Sequence, residues 1–207
     1  MATNELRERS LKLALRAGLT IPPTLPLLDP NLSVRRQVDA ENRLLCLTAI
    51  AAASYGFDKS KALAWLQQEH LDTLLTDTER EFVEQGKGNP QIFQVQVEGM
   101  WALAWALSLV PQLDFWKDSD NNFVTVLPNL KSGEGCEGLR RRARIRSVDD
   151  LISACDLAYC LHWANRQSEL DGMQAPAGLM PYIVVERRRA LEWLLSEDPW
   201  DAISLDT

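Results

Sequence analysis

Ile92-Phe-Gln-Val-Gln-Val-Glu-Gly-Met-Trp-Ala-Leu-Ala-Trp-Ala-Leu-Ser-Leu-Val110 is the most apolar long segment of the chain, and its only charge is Glu98. From Met100 onward the apolar side chains do not alternate with polar ones, so the two-residue period of a half-buried strand is absent. A helix that is apolar all round has to be buried. Gly99 inside it costs about 1 kcal/mol relative to Ala, which suggests close backbone packing at that point. The segment therefore reads as a buried helix over 92–110 at the centre of the fold, with Trp101, Trp105 and Leu107 in the core.

The flanks of this segment are punctuated. Gly86-Lys-Gly-Asn-Pro90 breaks the chain before it, and Pro111, Pro128, Gly133, Gly135 and Gly138 after it give an irregular loop region over 111–146, with a short turn or strand at 123–127. Farther out, helix signals recur. Asn4 is a candidate cap for a first helix ended by Gly18, and Ile21-Pro-Pro-Thr-Leu-Pro26 reads as an extended connector lying over the body. A long helix is expected from Ser33 to near Gly56, apolar all round in its second half from Leu44 to Ala53. Asp58 opens a shorter helix, and Thr76-Asp-Thr-Glu79 has the spacing of a capping box. Ser147 with Asp150 starts a helix running to Gly172, and Pro181 starts a last one reaching about Leu195. Trp163, Trp193 and Leu191 belong to the expected core. The fold class is all-α: a single domain over 1–207, a bundle of about seven helices around the 92–110 helix.

Composition restricts the function classes. The chain has 207 residues, 46% of them hydrophobic, and a net charge of −7. That balance excludes a disordered or fibrous chain. The longest uncharged apolar stretches fall short of the roughly 20 residues that span a bilayer, so no membrane association is expected. The first ten residues mix both signs of charge, unlike a secretory signal, which makes the cytoplasm the expected location. The acidic balance makes nucleic acid an unlikely partner, because that binding needs clustered cations. The exception is Leu139-Arg-Arg-Arg-Ala-Arg-Ile-Arg146, with five Arg in seven positions. It reads as a solvated turn neutralising acidic neighbours, the other reading being a phosphate or acidic-partner site.

Cys46, Cys136, Cys155 and Cys160 have no disulfide-framework spacing and read as free thiols. His70 and His162 lie in no metal-binding pattern, so neither a metal nor a cofactor is expected. Cys155 and His162 are two helical turns apart, about 10 Å, too far for a nucleophilic pair, and His162 reads as a core histidine bonded to backbone or to an acid. No nucleophile-elbow, Walker or dinucleotide motif occurs, and no residue is assigned a catalytic role.

The residues that stand out are Glu98, His162, Glu186 and Arg187. Glu98 shares a helix face with Trp101 and Trp105, where burial would raise its pKa unless a cation compensates. Arg187 lies on the apolar stripe Ile183, Arg187, Ala190, Leu194 beside Glu186, and is the expected counterion of Glu98, with His162 the second choice. A structural ion-pair network is the preferred reading of this set.

Ile21-Pro-Pro-Thr-Leu-Pro26, Arg35-Arg36, Trp65-Leu66, Glu98-Gly-Met-Trp-Ala-Leu-Ala-Trp105, Leu161-His-Trp-Ala164, Glu186-Arg-Arg-Arg-Ala-Leu-Glu-Trp-Leu194, Trp200-Asp and Asp206-Thr207 follow one another in the chain. In that order they resemble a bacterial domain family of unknown function. The resemblance covers nearly the whole chain and departs from the family pattern over 131–146. It implies that Glu98, His162, Trp163, Glu186 and Arg187 belong to the family's shared pattern, and it implies no activity. The functional expectation is a non-enzymatic acidic module that binds a protein, in concrete form an immunity-type inhibitor of a basic toxin effector. The alternatives are an enzyme or small-ligand binder with a pocket around Glu98, His162 and Arg187, and a homo-oligomeric structural protein.

Overall fold

The structure, a computed structural model, describes residues 3–28 and 32–207. Among these residues there are nine α-helices and no strand: α1 (Thr3–Arg16), α2 (Gln37–Ser54), α3 (Lys59–Gln68), α4 (Asp77–Gln85), α5 (Pro90–Val95), α6 (Val97–Ala106), α7 (Glu137–Arg142), α8 (Val148–Leu170) and α9 (Pro181–Leu194). The all-α expectation holds. None of these helices is long and apolar enough to cross a membrane. The chain divides into two compact units, one of residues 1–35, 114–118 and 146–207, the other of residues 36–113 and 119–145.

The second unit is organised on α2, which packs against α3, α4, α5 and α6. Its run from Leu44 to Ile50 is buried on every side, as expected of a helix with no polar face. The helix starts at Gln37, later than the expected Ser33, because Arg36 is extended (φ −65°, ψ 152°). The capping box is present in α4: Thr76 Oγ1 accepts from the Glu79 N–H (3.3 Å) while Glu79 Oε2 accepts from the Thr76 N–H (2.9 Å). Glu79 Oε1 also receives a hydrogen bond from Arg43 of α2, and both side chains are buried. One carboxylate thus serves a helix start and a counterion role.

The expected 92–110 helix is two helices, α5 and α6, separated at Gln96. α6 stops short of Val110 because Ser108 adopts a left-handed conformation (φ 56°) and the Leu109 N–H turns back to Ala104 O (2.8 Å). Leu107 is buried, whereas Trp101 and Trp105 are only half-buried. Trp101 packs edge-on to Phe123 (5.2 Å) and its indole N–H donates to Gln112 O (3.0 Å). The region 111–146 is more ordered than expected, with 3-10 turns over 121–126 and 130–132 and the short helix α7. Trp65 of α3 and Glu69 just after it hold it: Trp65 Nε1 donates to Glu134 O (2.9 Å) and Glu69 accepts from the Cys136 N–H (3.0 Å).

The first unit is three helices, with α8 packed on both α1 and α9. Ser147 caps α8 by accepting from the Asp150 N–H (3.2 Å). Asn4, the expected first cap, is already inside α1, and the residues before Thr3 lie outside those described. The connector of the expected kind follows, burying Leu19, Ile21 and Leu25. Leu191 and Trp193 are buried as expected, Trp163 is half-buried, and Trp193 meets Trp200 edge-on (5.6 Å).

Candidate functional site

The polar interior of the first unit is built by arginines that reach out of helices to hold irregular backbone. From α1, Arg7 grips Asp156 of α8 through Nε (3.0 Å) and Nη2 (2.7 Å), and its remaining N–H groups donate to Leu25 O (2.7 Å) and Pro26 O (2.8 Å). Arg35 donates to Trp193 O (2.8 Å), near the end of α9, and stacks over the Trp193 ring (4.2 Å). From α9, Arg187 donates to Asp114 O and to Lys117 O (2.9 Å), and Arg188 to Leu205 O (3.1 Å) and Asp206 O (3.0 Å). A guanidinium suits this task because its N–H groups fork in a plane and can serve two or three carbonyls at once.

Of the residues singled out by sequence, Glu98 belongs to the second unit and His162, Glu186 and Arg187 to the first. Glu98 and Arg187, the expected pair, therefore fall in different units. Inside its own unit Glu98 is buried and accepts from the Ser119 N–H (3.0 Å). Arg187 is 1% exposed and holds the 114–117 backbone.

His162 is a core histidine, 6% exposed, but its partner is neither backbone nor acid: Arg188 Nη1 donates to its Nδ1 (2.7 Å). A guanidinium has no lone pair to offer, so Nδ1 must be the acceptor and the proton of the neutral ring sits on Nε2. Burial, with Arg188 and Arg166 nearby, pushes the imidazole down to about 4. The ring is therefore neutral at physiological pH. Glu186 is nearly buried, with Arg189 Nε 3.5 Å from Oε2, and burial holds its carboxyl above the ordinary range.

Several residues that build this interior escaped the sequence reading. Asp156 is the counterion of Arg7, and the guanidiniums of Arg7 (5.8 Å) and Arg188 (4.8 Å) both lie over the Tyr159 ring. Arg7 sits in a helix whose charges look uniformly solvated, and nothing in the pattern marks it. In the second unit, the basic run is largely committed: Arg140 donates to Asn42 (2.9 Å), Arg142 to Gly138 O (3.1 Å) and Val126 O (2.9 Å), and Arg144 to Arg141 O (3.0 Å). Arg140 also approaches an acid, Glu41 Oε2, at 4.0 Å.

Burial pushes the thiols of Cys46, Cys136 and Cys160 up to about 12, and that of Cys155 well above its ordinary value. Such thiols carry almost no thiolate near neutrality. Among the described residues no three His, Cys, Asp or Glu side chains converge as a metal site would require. A family model described as "Domain of unknown function (DUF4272)" matches residues 6–203. Neither a curated protein nor a solved structure matches the chain.

Proposed function

We propose that this chain, which belongs to that family, is a non-enzymatic module that binds a basic protein partner. The observation that supports this reading is the commitment of the buried polar groups. Arg7 divides its donors between Asp156 and two backbone carbonyls, Arg187 serves backbone carbonyls, Arg188 serves two carbonyls and His162, which is neutral with Nδ1 occupied, and the thiols are held protonated. Side chains committed in this way maintain shape and leave the surface to act.

That surface is acidic. In the first unit the acids outnumber the bases, and three of the bases are withdrawn into the interior against two acids, Asp156 and Glu186. Glu197, Asp198, Asp201 and Asp206 near the C-terminal end are all exposed. An excess of exposed negative charge accelerates encounter with a basic surface and disfavours acidic ones. An immunity-type inhibitor that covers a basic toxin effector in the bacterial cytoplasm is the concrete form of this proposal.

The test compares wild type with Glu98→Gln, His162→Asn and an Asp198→Lys/Asp201→Lys double variant, each confirmed folded by circular dichroism. A specific partner recovered from extract should be lost in the charge-reversed protein and retained by the two core variants. Its affinity should fall with salt, since attraction is screened beyond a Debye length of about 8 Å at physiological strength. Turnover of a small substrate by wild type that vanishes in folded Glu98→Gln or His162→Asn would overturn the proposal in favour of an enzyme.

A further inference from the structure

The first unit carries one feature that the proposed partner binding does not use. Leu13, Arg16 and Ala17 of α1, Leu157 of α8, Trp116 and Ala177 line a concavity of about 420 Å³. Its volume falls in the roughly 300–1,000 Å³ range of small-molecule sites, but it opens widely to solvent, so a ligand would lie along its wall. The lining is apolar except at one place. Arg16, in the last turn of α1, is exposed and makes no side-chain hydrogen bond or ion pair with any described residue.

Each other feature of the wall points the same way. Leu13 keeps 39% of its surface exposed and Trp116 and Leu157 are half-buried, so apolar area faces the concavity instead of a neighbouring helix. The far rim is a tight turn closed by the Leu179 N–H on Pro176 O (3.0 Å), with left-handed backbone at Ala177 (φ 54°) and Gly178 (φ 70°). Left-handed geometry at both central residues is that of a type I′ turn, for which Ala is a costly choice. In a unit whose acids outnumber its bases, an unengaged guanidinium beside apolar walls is the exception. A guanidinium fork pairs best with a planar carboxylate through two parallel hydrogen bonds.

We infer that this concavity binds a small amphipathic monocarboxylate, a medium-chain or aryl-alkanoic acid, with its apolar body on Leu13, Trp116 and Leu157 and its carboxylate on Arg16. The inference stands apart from the protein-partner proposal, and neither result decides the other.

Octanoate is the probe and 1-octanol its uncharged counterpart, titrated into the full chain while the indole N–H resonance that is missing from a Trp116→Phe spectrum is followed. Octanoate should move this resonance saturably and bind at least tenfold more tightly than octanol, a difference of about 1.4 kcal/mol. Arg16→Gln changes an exposed side chain and should fold as wild type, lose that preference and leave octanol affinity unchanged. Leu13→Gln should weaken both probes alike. Equal binding of octanoate and octanol overturns the inference, as does an octanoate shift that survives Arg16→Gln or one that never saturates. A resonance unmoved by octanoate, or one that moves only with a monomer-to-dimer change in sedimentation, overturns it as well.

Discussion

Removing the Asp156 carboxylate should be among the most damaging single changes to the first unit. Arg7 is 4% exposed and Asp156 3%, and two N–H groups of the guanidinium rest on the carboxylate. Burial opposes the charge on Arg7, yet the Asp156 hydrogen bond and charge hold its pKa above the ordinary value. Asp156→Ala leaves that cation buried with only two carbonyls for company. Stranding one member of a buried pair costs about 3–5 kcal/mol. For a chain of this length that corresponds to a fall of roughly 10 °C in melting temperature. Arg7→Met should be milder at low pH, where the orphaned carboxyl can take a proton, but it also releases Leu25 O and Pro26 O and frees the connector. The double variant Arg7→Met/Asp156→Leu should be more stable than Asp156→Ala, because no charge is left buried. Calorimetry gives the stabilities, and hydrogen exchange at the Leu25 amide separates loss of the pair from loss of the connector. A melting temperature for Asp156→Ala within about 2 °C of wild type would refute the reasoning. So would a double variant whose loss equals the sum of the singles.

Three other outcomes are expected. The His162 pKa is lower in the folded protein than in the unfolded chain, so the unfolded state binds more protons and stability falls as pH drops from 6.5 towards about 4; urea midpoints of His162→Asn should lack that part of the decline, and superimposable wild-type and variant profiles would count against it. The four buried thiols should resist iodoacetamide at pH 8 in the native protein and react fully in denaturant; rapid native labelling of any one contradicts its placement. His70 is exposed in left-handed conformation (φ 58°), where the Leu71 N–H turns back to Leu66 O (2.8 Å) to close α3; His70→Gly should stabilise by about 1 kcal/mol, read as a higher urea midpoint, and an unchanged or lower midpoint would show the site is not strained.

Local signals in the sequence carried the elements well and the partners poorly. Asp58, the Thr76–Glu79 box, Ser147 and Pro181 each start a helix where their spacing predicts, because a cap is a contact within four residues. The break inside 92–110 was not legible: Gln96 and Ser108 are ordinary residues, and apolar periodicity does not register a left-handed turn at serine. Trp101, Trp105 and Trp163 lie in apolar runs yet keep part of their rings exposed, since hydrophobicity gives a tendency to bury and not a face. Among the site residues, burial was read correctly for Glu98, His162, Glu186 and Arg187, while the donor to His162 was not. Three consecutive arginines, 187 to 189, look alike in sequence, and only the helix phase and the path of the C-terminal segment select Arg188. Arg7, Arg35 and Arg187 each hold backbone carbonyls, which every residue owns and no side-chain pattern announces.

The double use of Glu79 ties two scales of structure together. A capping box is a device of four neighbouring residues, yet its carboxylate also neutralises Arg43, 36 residues earlier in the chain. α4, one of the shorter helices and largely polar, and α2, an apolar helix that it packs on, thus share one charge. A change at residue 79 is felt both where α4 starts and inside the core that α2 forms.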